Sequence, residues 1–237
     1  MAKRALHVNG VDYEIGYELL HPEHAQTIVF LHGWGANKEI MKKAFGGVFG
    51  AYQHLYLDLP GFGTSSLHVP LTSKEYAQVV EAFLEALHVT PAVIVGHSFG
   101  GKVATLLNPP TLVLLSSAGI VPPKSLWVRS KIAMFKALKT LGLGRFYRLF
   151  ATKDVQGMAP VMYETLKKVV NEDMREVFRA YAGRAVICWG EDDKATPLQS
   201  GEEIARLIPN ARFYPLQGDH FFFILHGARI ERALEEA

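Results

Sequence analysis

Six short apolar runs recur along this chain with longer helical patterns between them: Thr27 to Leu31, His54 to Asp58, Ala92 to Val95, Thr111 to Leu115, Ala185 to Trp189 and Ala211 to Pro215. Antiparallel strands can turn back through two residues, but parallel strands need a crossover of a dozen or more, usually a helix. The alternation therefore predicts an α/β chain with a mostly parallel central sheet and flanking helices. Several of the runs are apolar at nearly every position, as strands covered on both faces should be. Ahead of them, alternating residues on either side of Asn9-Gly10 predict an N-terminal antiparallel hairpin, because that pair tolerates the positive φ of a tight turn.

Between the second and third runs, Thr72 and Glu75 form a capping box ahead of Tyr76, Val79, Val80, Phe83 and Leu87, whose spacing puts one apolar face on a helix. A second, short helix should follow Gly100-Gly101 and stop before Asn108-Pro109-Pro110, since consecutive prolines cannot continue it. From Ile120 to Gly183 no run reads as a strand, and apolar residues recur at helical spacing through Trp127 to Leu141 and again through Val161 to Val177. The expected organisation is one core, residues 1–119 and 184–237, carrying a helical insertion over 120–183. Pro122-Pro123 and Ala182-Gly183 are its expected hinges.

Composition excludes several classes. The 237 residues are enough for one full core, and a formal charge of +2, from 25 Lys and Arg against 23 Asp and Glu, lacks the basic excess that tracks a phosphate backbone. No nucleic-acid partner is expected. A single cysteine, Cys188, allows neither an internal disulfide nor a thiolate metal site. Asp12, Glu14 and Glu18 interrupt the N-terminus before any run long enough for a signal peptide, and no stretch approaches the ~18 apolar residues of a spanning helix. The expectation is a cytoplasmic protein without integral membrane association.

The residues that carry chemistry are Gly96-His97-Ser98-Phe99-Gly100-Gly101, directly after one apolar run and directly before a helical pattern. In Gly-x-Ser-x-Gly at a strand-turn-helix junction, a sharp turn lifts the serine hydroxyl out of the sheet and flanking glycines relieve crowding. Ser98 is then a candidate nucleophile, and the Phe99 amide, at a helix N-terminus, can face a developing oxyanion. His32-Gly33-Trp34-Gly35 follows an earlier strand, so the Trp34 amide can supply the second donor, with the Trp34 ring as a pocket wall and His32 in a structural role. A serine needs a base and the base an orienting acid. Carboxylates in Trp189 to Pro197 follow one strand and His220 follows the next, which brings both to the carboxyl edge where Ser98 emerges. His7, His21, His24, His54, His68, His88 and His226 read as surface or packing residues.

At these residues the chain resembles the α/β-hydrolase superfamily, over essentially its whole length. The family's glycine-x-x-aspartate-x-x-x-proline pattern lands on Gly190, Asp193 and Pro197, which implies Asp193 as the acid in preference to Asp192 or Asp219. Asp58-Leu-Pro-Gly-Phe-Gly63 is similar to the family's loop after its fourth strand. Gly61-x-Gly63 is not read as a nucleotide site, because Ser66 stands where the third glycine would be. The resemblance implies an α/β-hydrolase fold with the insertion as a lid, and acyl transfer by Ser98, His220 and Asp193 with the Trp34 and Phe99 amides as oxyanion hole. No metal or organic cofactor is expected.

Two subfamilies bear on the substrate. Ser116 to Ile120 and Trp189 to Pro197 resemble the meta-cleavage-product hydrolases, which split a C–C bond in dienoates, although those enzymes often have Asn where His97 stands. Leu31 to Gly35 looks like the corresponding segment of the pimeloyl-carrier-protein methyl ester esterases. The expected substrate is a small carboxylic ester, with a dienoate as the alternative. Less favoured are an acyl-carrier-linked ester and a non-hydrolytic reaction such as that of a cofactorless haloperoxidase, which would keep the same triad. Lid residues Trp127, Met134, Phe135, Phe146, Tyr147, Phe150, Met158 and Met162 are candidates to line an apolar cavity.

The mean charge conceals a bias. From Ala86 to Lys153 there is no Asp or Glu, while Lys102, Lys124, Arg129, Lys131, Lys136, Lys139, Arg145, Arg148 and Lys153 give that stretch a charge of +9. The two readings are a solvated basic face and a lid that attracts an anionic substrate or acidic carrier.

Overall fold

The computed structural model describes residues 2–121 and 158–237. Its first two strands, β1 (Ala2–Val8) and β2 (Val11–Leu20), form the predicted hairpin, with Asn9 at φ 51° and Gly10 at φ 79° in the turn. Then come β3 (Thr27–Leu31), β4 (Gln53–Leu57), β5 (Pro91–His97), β6 (Thr111–Leu115), β7 (Arg184–Gly190) and β8 (Ala211–Leu216). All join one sheet in the order β1-β2-β4-β3-β5-β6-β7-β8. β2 runs antiparallel to β4, and every pairing from β4 through β8 is parallel. The predicted runs at Thr27 and Thr111 coincide with strands, and β5 and β7 extend beyond theirs by one or two residues.

The period of two decides which side chain faces which layer. Val29, Leu31, Ile94, Leu112, Leu114, Ile187 and Trp189 form one buried cluster with helices α2 (Ser73–Ala86), α3 (Phe99–Leu106) and α6 (Leu198–Leu207). The intervening Ile28, Phe30, Val95, Val113, Leu115, Val186 and Cys188 form the other with α1 (Lys38–Phe45) and α7 (Gly227–Glu236). Burial on both sides is why these strands read as continuous apolar runs rather than as alternating ones.

Thr72 caps α2 as predicted: its hydroxyl accepts from the Glu75 amide while the Glu75 carboxylate accepts from the Thr72 amide at 2.6 Å. α3 begins at Phe99, two residues before Gly101, and ends at Leu106. The second helical pattern of the insertion differs from expectation, because Val161 to Val177 is two helices, α4 (Pro160–Val169) and α5 (Arg175–Ala180). Two bonds make the break. The Met174 amide turns to the Gly119 carbonyl at 2.8 Å, and Asp173 Oδ1 accepts the Arg175 amide at 3.0 Å to start the next helix. The expected helix over Trp127 to Leu141 and the hinge at Pro122-Pro123 lie outside the described residues. Among the described residues no helix is long and apolar enough to cross a membrane.

The approach of α3 to the sheet depends on one glycine. A Cβ on Gly100 would stand 2.5 Å from the Leu31 carbonyl oxygen and 2.6 Å from that of His32, and neither backbone atom can swing aside. Gly100→Ala is therefore expected to destabilise the protein by about 1–3 kcal/mol, the usual cost of overpacking, as read by urea denaturation. A neutral effect would mean that α3 docks with slack.

Candidate active site

Ser98 closes β5 and opens α3, with φ 51° and ψ −115°, a backbone conformation that non-glycine residues rarely adopt. The turn is held from both sides. The Ser98 amide donates to Leu115 O at 3.0 Å, and the Ser98 carbonyl accepts from Gly101 and Ala118 amides, each at 3.0 Å. A side chain at Gly96 would meet the Gly100 carbonyl oxygen at 2.5 Å, so the tight return of the chain requires glycine there. Phe99 is the first residue of α3, where the amide has no intrahelical partner. Trp34 follows β3, the neighbour of β5 in the sheet, and its amide meets no backbone acceptor among the described residues. The Trp34 and Phe99 rings touch edge to face at 5.6 Å between centroids. The two predicted oxyanion donors thus belong to adjacent residues in space.

His220 and Asp193 come together as predicted, across the loops after β8 and β7. His220 Nδ1 lies 2.7 Å from Asp193 Oδ2. Asp193 Oδ1 accepts the Ala195 and Thr196 amides at 2.8 and 2.9 Å, and the Thr196 hydroxyl lies 2.9 Å from Oδ2. Burial opposes ionisation of this carboxyl, but the His220 hydrogen bond, the Thr196 amide and the Ser116 hydroxyl outweigh it and hold its pKa down to about 2. Asp219 is engaged elsewhere, with its Oδ1 accepting the Phe221 amide at 2.8 Å.

An acid whose folded pKa is depressed stabilises the fold above its ordinary value and loses that contribution as pH falls through the lower one. Asp193→Asn is therefore expected to destabilise near neutral pH and to approach the unmodified protein as pH falls toward 2, measured by urea midpoints. A pH-independent gap would assign the loss to packing.

Sequence reasoning did not single out three residues that organise this constellation. His97 is fully buried beneath His220, and its Nε2 donates to the His220 carbonyl at 3.0 Å, with the rings 4.6 Å apart. Burial, reinforced by His220, lowers its pKa to about 3, so the ring stays neutral, and Nδ1 has no hydrogen-bond partner among the described residues. Thr196 braces Asp193, and its hydroxyl also lies 3.1 Å from Ser116 O. Ser116 holds φ 44° at the end of β6. The signals available were the place of His97 inside the serine motif, and for Ser116 and Thr196 only their presence in segments that carry the family resemblance, neither of which assigns a partner.

His32 has the structural role expected of it. Its Nδ1 donates to Gly33 O at 2.8 Å and its Nε2 accepts the Leu59 amide at 3.0 Å, tying the Trp34 loop to the loop after β4. Burial lowers its pKa to about 4. Among the other histidines, His54 is a buried packing residue bonded to Phe49 O at 3.0 Å.

A cavity of about 420 Å³ opens at Ser98. Trp34, Phe99, Ile120, Leu166, Val169 and Val170 give it apolar walls, and Lys102, Glu172 and Thr196 are polar lining. Met162 is not in this lining; it packs against Gly61 and the core. Met158, half-buried, is not in it either, and the other lid candidates lie outside the described residues. Of the nine basic residues between Ala86 and Lys153, eight lie outside the described residues. The ninth, Lys102, is no surface charge: it is 2 % exposed, and its Nζ stands 3.1 Å from Glu172 Oε2. Burial draws its pKa below the ordinary lysine value, with Glu172 opposing.

A mostly parallel sheet with an antiparallel hairpin at one edge, a serine on a strained strand-to-helix turn, and a half-buried histidine bonded to a buried aspartate define the α/β-hydrolase class. The family model described as "Alpha/beta hydrolase family" matches residues 28–233, and the chain belongs to that family. It is an enzyme, a hydrolase with esterases among its relatives. An "Uncharacterized hydrolase YugF" of Bacillus subtilis is 27% identical, with the match covering 90% of this chain and 89% of that protein. A "Pimeloyl-[acyl-carrier protein] methyl ester esterase" of Chromobacterium violaceum is also 27% identical, over 88% of this chain and 92% of that one. In fold, a thermophilic esterase from Thermogutta terrifontis superposes with a TM-score of 0.74, at 16% identity, over 100% of this chain and 97% of the other.

Proposed function

We propose that this hydrolase cleaves small carboxylic esters through a covalent acyl-enzyme on Ser98. The observation that carries the reading is the meeting, at one sheet edge, of a strained serine facing a 420 Å³ cavity and a histidine bonded at 2.7 Å to a carboxylate held ionised. Among the described residues no hydrogen bond joins Ser98 Oγ to His220, a contact that in such sites commonly tightens only when substrate is bound. His220 takes the proton from Ser98 Oγ as it attacks the carbonyl, and Asp193 fixes the tautomer with the Nδ1–H and stabilises the imidazolium. The Trp34 and Phe99 amides hold the tetrahedral oxyanion. Collapse breaks the ester C–O bond, the alcohol leaves with the proton from His220, and water repeats the sequence to free the acid. No step calls for a metal or organic cofactor.

Similarity to an ester-cleaving relative over 88% of the chain supports the ester assignment. The insertion over 120–183 serves as a lid in this reading, with α4 and the segment after it forming one wall of the cavity. A cytoplasmic setting accords with the single cysteine, Cys188, buried in β7.

The test is a set of p-nitrophenyl esters of rising acyl length beside a dienoate C–C substrate, with fluorophosphonate labelling of Ser98. Ester turnover with labelling is the expected result. Turnover of the dienoate alone would replace the reading with C–C hydrolysis, and an unlabelled Ser98 would remove the nucleophile.

A further inference from the structure

Lys102 lies four residues past Ser98 on α3, about one turn and ~6 Å along the axis, and lines the same cavity. Its Nζ donates to the Val169 carbonyl at 2.7 Å and pairs with Glu172 Oε2 at 3.1 Å. Those contacts use two of the three N–H bonds of the ammonium, and no third acceptor faces it among the described residues. Glu172 is fixed in place, since it also accepts the Ser73 amide at 3.2 Å and the Ser73 hydroxyl. A charged donor left unmatched in a buried setting is costly, because hydrogen bonds to charged groups are the stronger ones.

The occupant of the cavity decides whether that cost persists. An aliphatic acyl chain sets hydrocarbon against the ammonium and leaves the third N–H unmet. A chain ending in a carboxylate meets it, but brings a second negative charge beside Glu172 and beside the C-terminal carbonyl end of α4, which is already negative. A neutral oxygen satisfies the donor without either penalty.

We propose that Lys102 and Glu172 form a specificity subsite for acyl groups whose far end carries a neutral hydrogen-bond acceptor, a ketone or amide oxygen, received by the Lys102 ammonium. The proposal rests on the serine-hydrolase reading above, with the acyl group lying in the cavity. It departs from the anionic substrate suggested by the basic stretch, because Lys102, the member of that stretch among the described residues, is already paired with a carboxylate at the cavity.

Three p-nitrophenyl esters of nearly equal size separate the cases: the hexanoate, the 5-oxohexanoate and the monoester of glutaric acid. The expected kcat/KM for the oxo ester exceeds that for the hexanoate by about tenfold or more, the lower bound for a hydrogen bond to a charged group, and the glutarate ester does not exceed the hexanoate. Removing Lys102 alone strands the Glu172 charge, so the variant is the charge-neutral Lys102→Met/Glu172→Gln, in which the oxo-to-hexanoate ratio should fall to about one. Equal wild-type rates on the two, a leading glutarate ester, or a ratio that survives in the double variant would each overturn the subsite. Absence of turnover on all three with Ser98 still labelled by a fluorophosphonate overturns the subsite and leaves the nucleophile standing. Absence of labelling overturns the serine-hydrolase reading and the subsite with it.

Discussion

Ser98→Ala is expected to lower kcat by on the order of a million-fold while leaving the fold intact, since nucleophile and base act as a unit. His220→Ala should cost a similar factor, and the double variant little more. Residual turnover well above the uncatalysed rate is expected, because the Trp34 and Phe99 amides and the cavity remain. Near-normal turnover by Ser98→Ala would sink the nucleophile assignment. Additive losses from the two single changes would show that the residues act separately. A companion substitution reads the backbone: Ser98→Gly should abolish turnover yet raise stability, by up to roughly 1–3 kcal/mol, because glycine adopts φ 51° without the strain a side chain brings. A stability gain coupled to a total loss of activity is the signature of strain retained for function.

The largest loss of stability is expected at Asp58→Asn. Asp58 is fully buried at the end of β4, where Oδ2 accepts Lys38 Nζ at 2.8 Å and the Thr64 amide at 2.9 Å, and Oδ1 accepts the Lys38 amide at 2.8 Å. Lys38 is itself 2 % exposed. Burial works against the charge on Asp58, but the Lys38 contacts and the Thr64 amide prevail and lower its pKa. The aspartate therefore joins the start of α1 to the loop that follows β4, and His32 joins that same loop to the Trp34 segment. An asparagine there leaves the buried ammonium with only the half-exposed Glu39 carboxylate, 3.6 Å away, as counter-charge, and breaking a buried pair costs up to about 3–5 kcal/mol. Urea denaturation should show that loss for Asp58→Asn, with part of it recovered in Lys38→Met/Asp58→Asn, where no buried charge is stranded. A loss of under ~0.5 kcal/mol, the size of an ordinary surface change, would mean that Glu39 or water takes over the Lys38 charge when Asp58 is neutralised.

Some of this molecule was legible from spacing alone. The Asn9-Gly10 turn, the Thr72-Glu75 box and the Gly96 to Gly101 elbow are local devices, each complete within about six residues, and each stands where the chain pattern put it. The elbow identified Ser98 because a strand, a turn and a helix follow one another without interruption. Asp193 required more than pattern: three carboxylates, Glu191, Asp192 and Asp193, lie together, and family resemblance selected among them. The helical pattern from Val161 to Val177 was legible as apolar spacing, but its break was not. That break depends on the Gly119 carbonyl, which is far off in sequence and claims the Met174 amide.

The sequence by itself determined the strands, their two-sided burial and the position of the serine turn, because each is written in spacing of two, of three to four, or in glycines around one serine. Tertiary structure decided what those pieces meet. The order β4-β3-β5 sets the Trp34 loop beside Phe99, and β7 beside β8 brings Asp193 to His220 across 27 positions. His97 under the imidazole, Lys38 on Asp58 and Lys102 on Glu172 are likewise contacts between distant segments. Spacing along a chain cannot encode such partners, since they follow from which strands become neighbours and from the need of every buried charge for a counterpart.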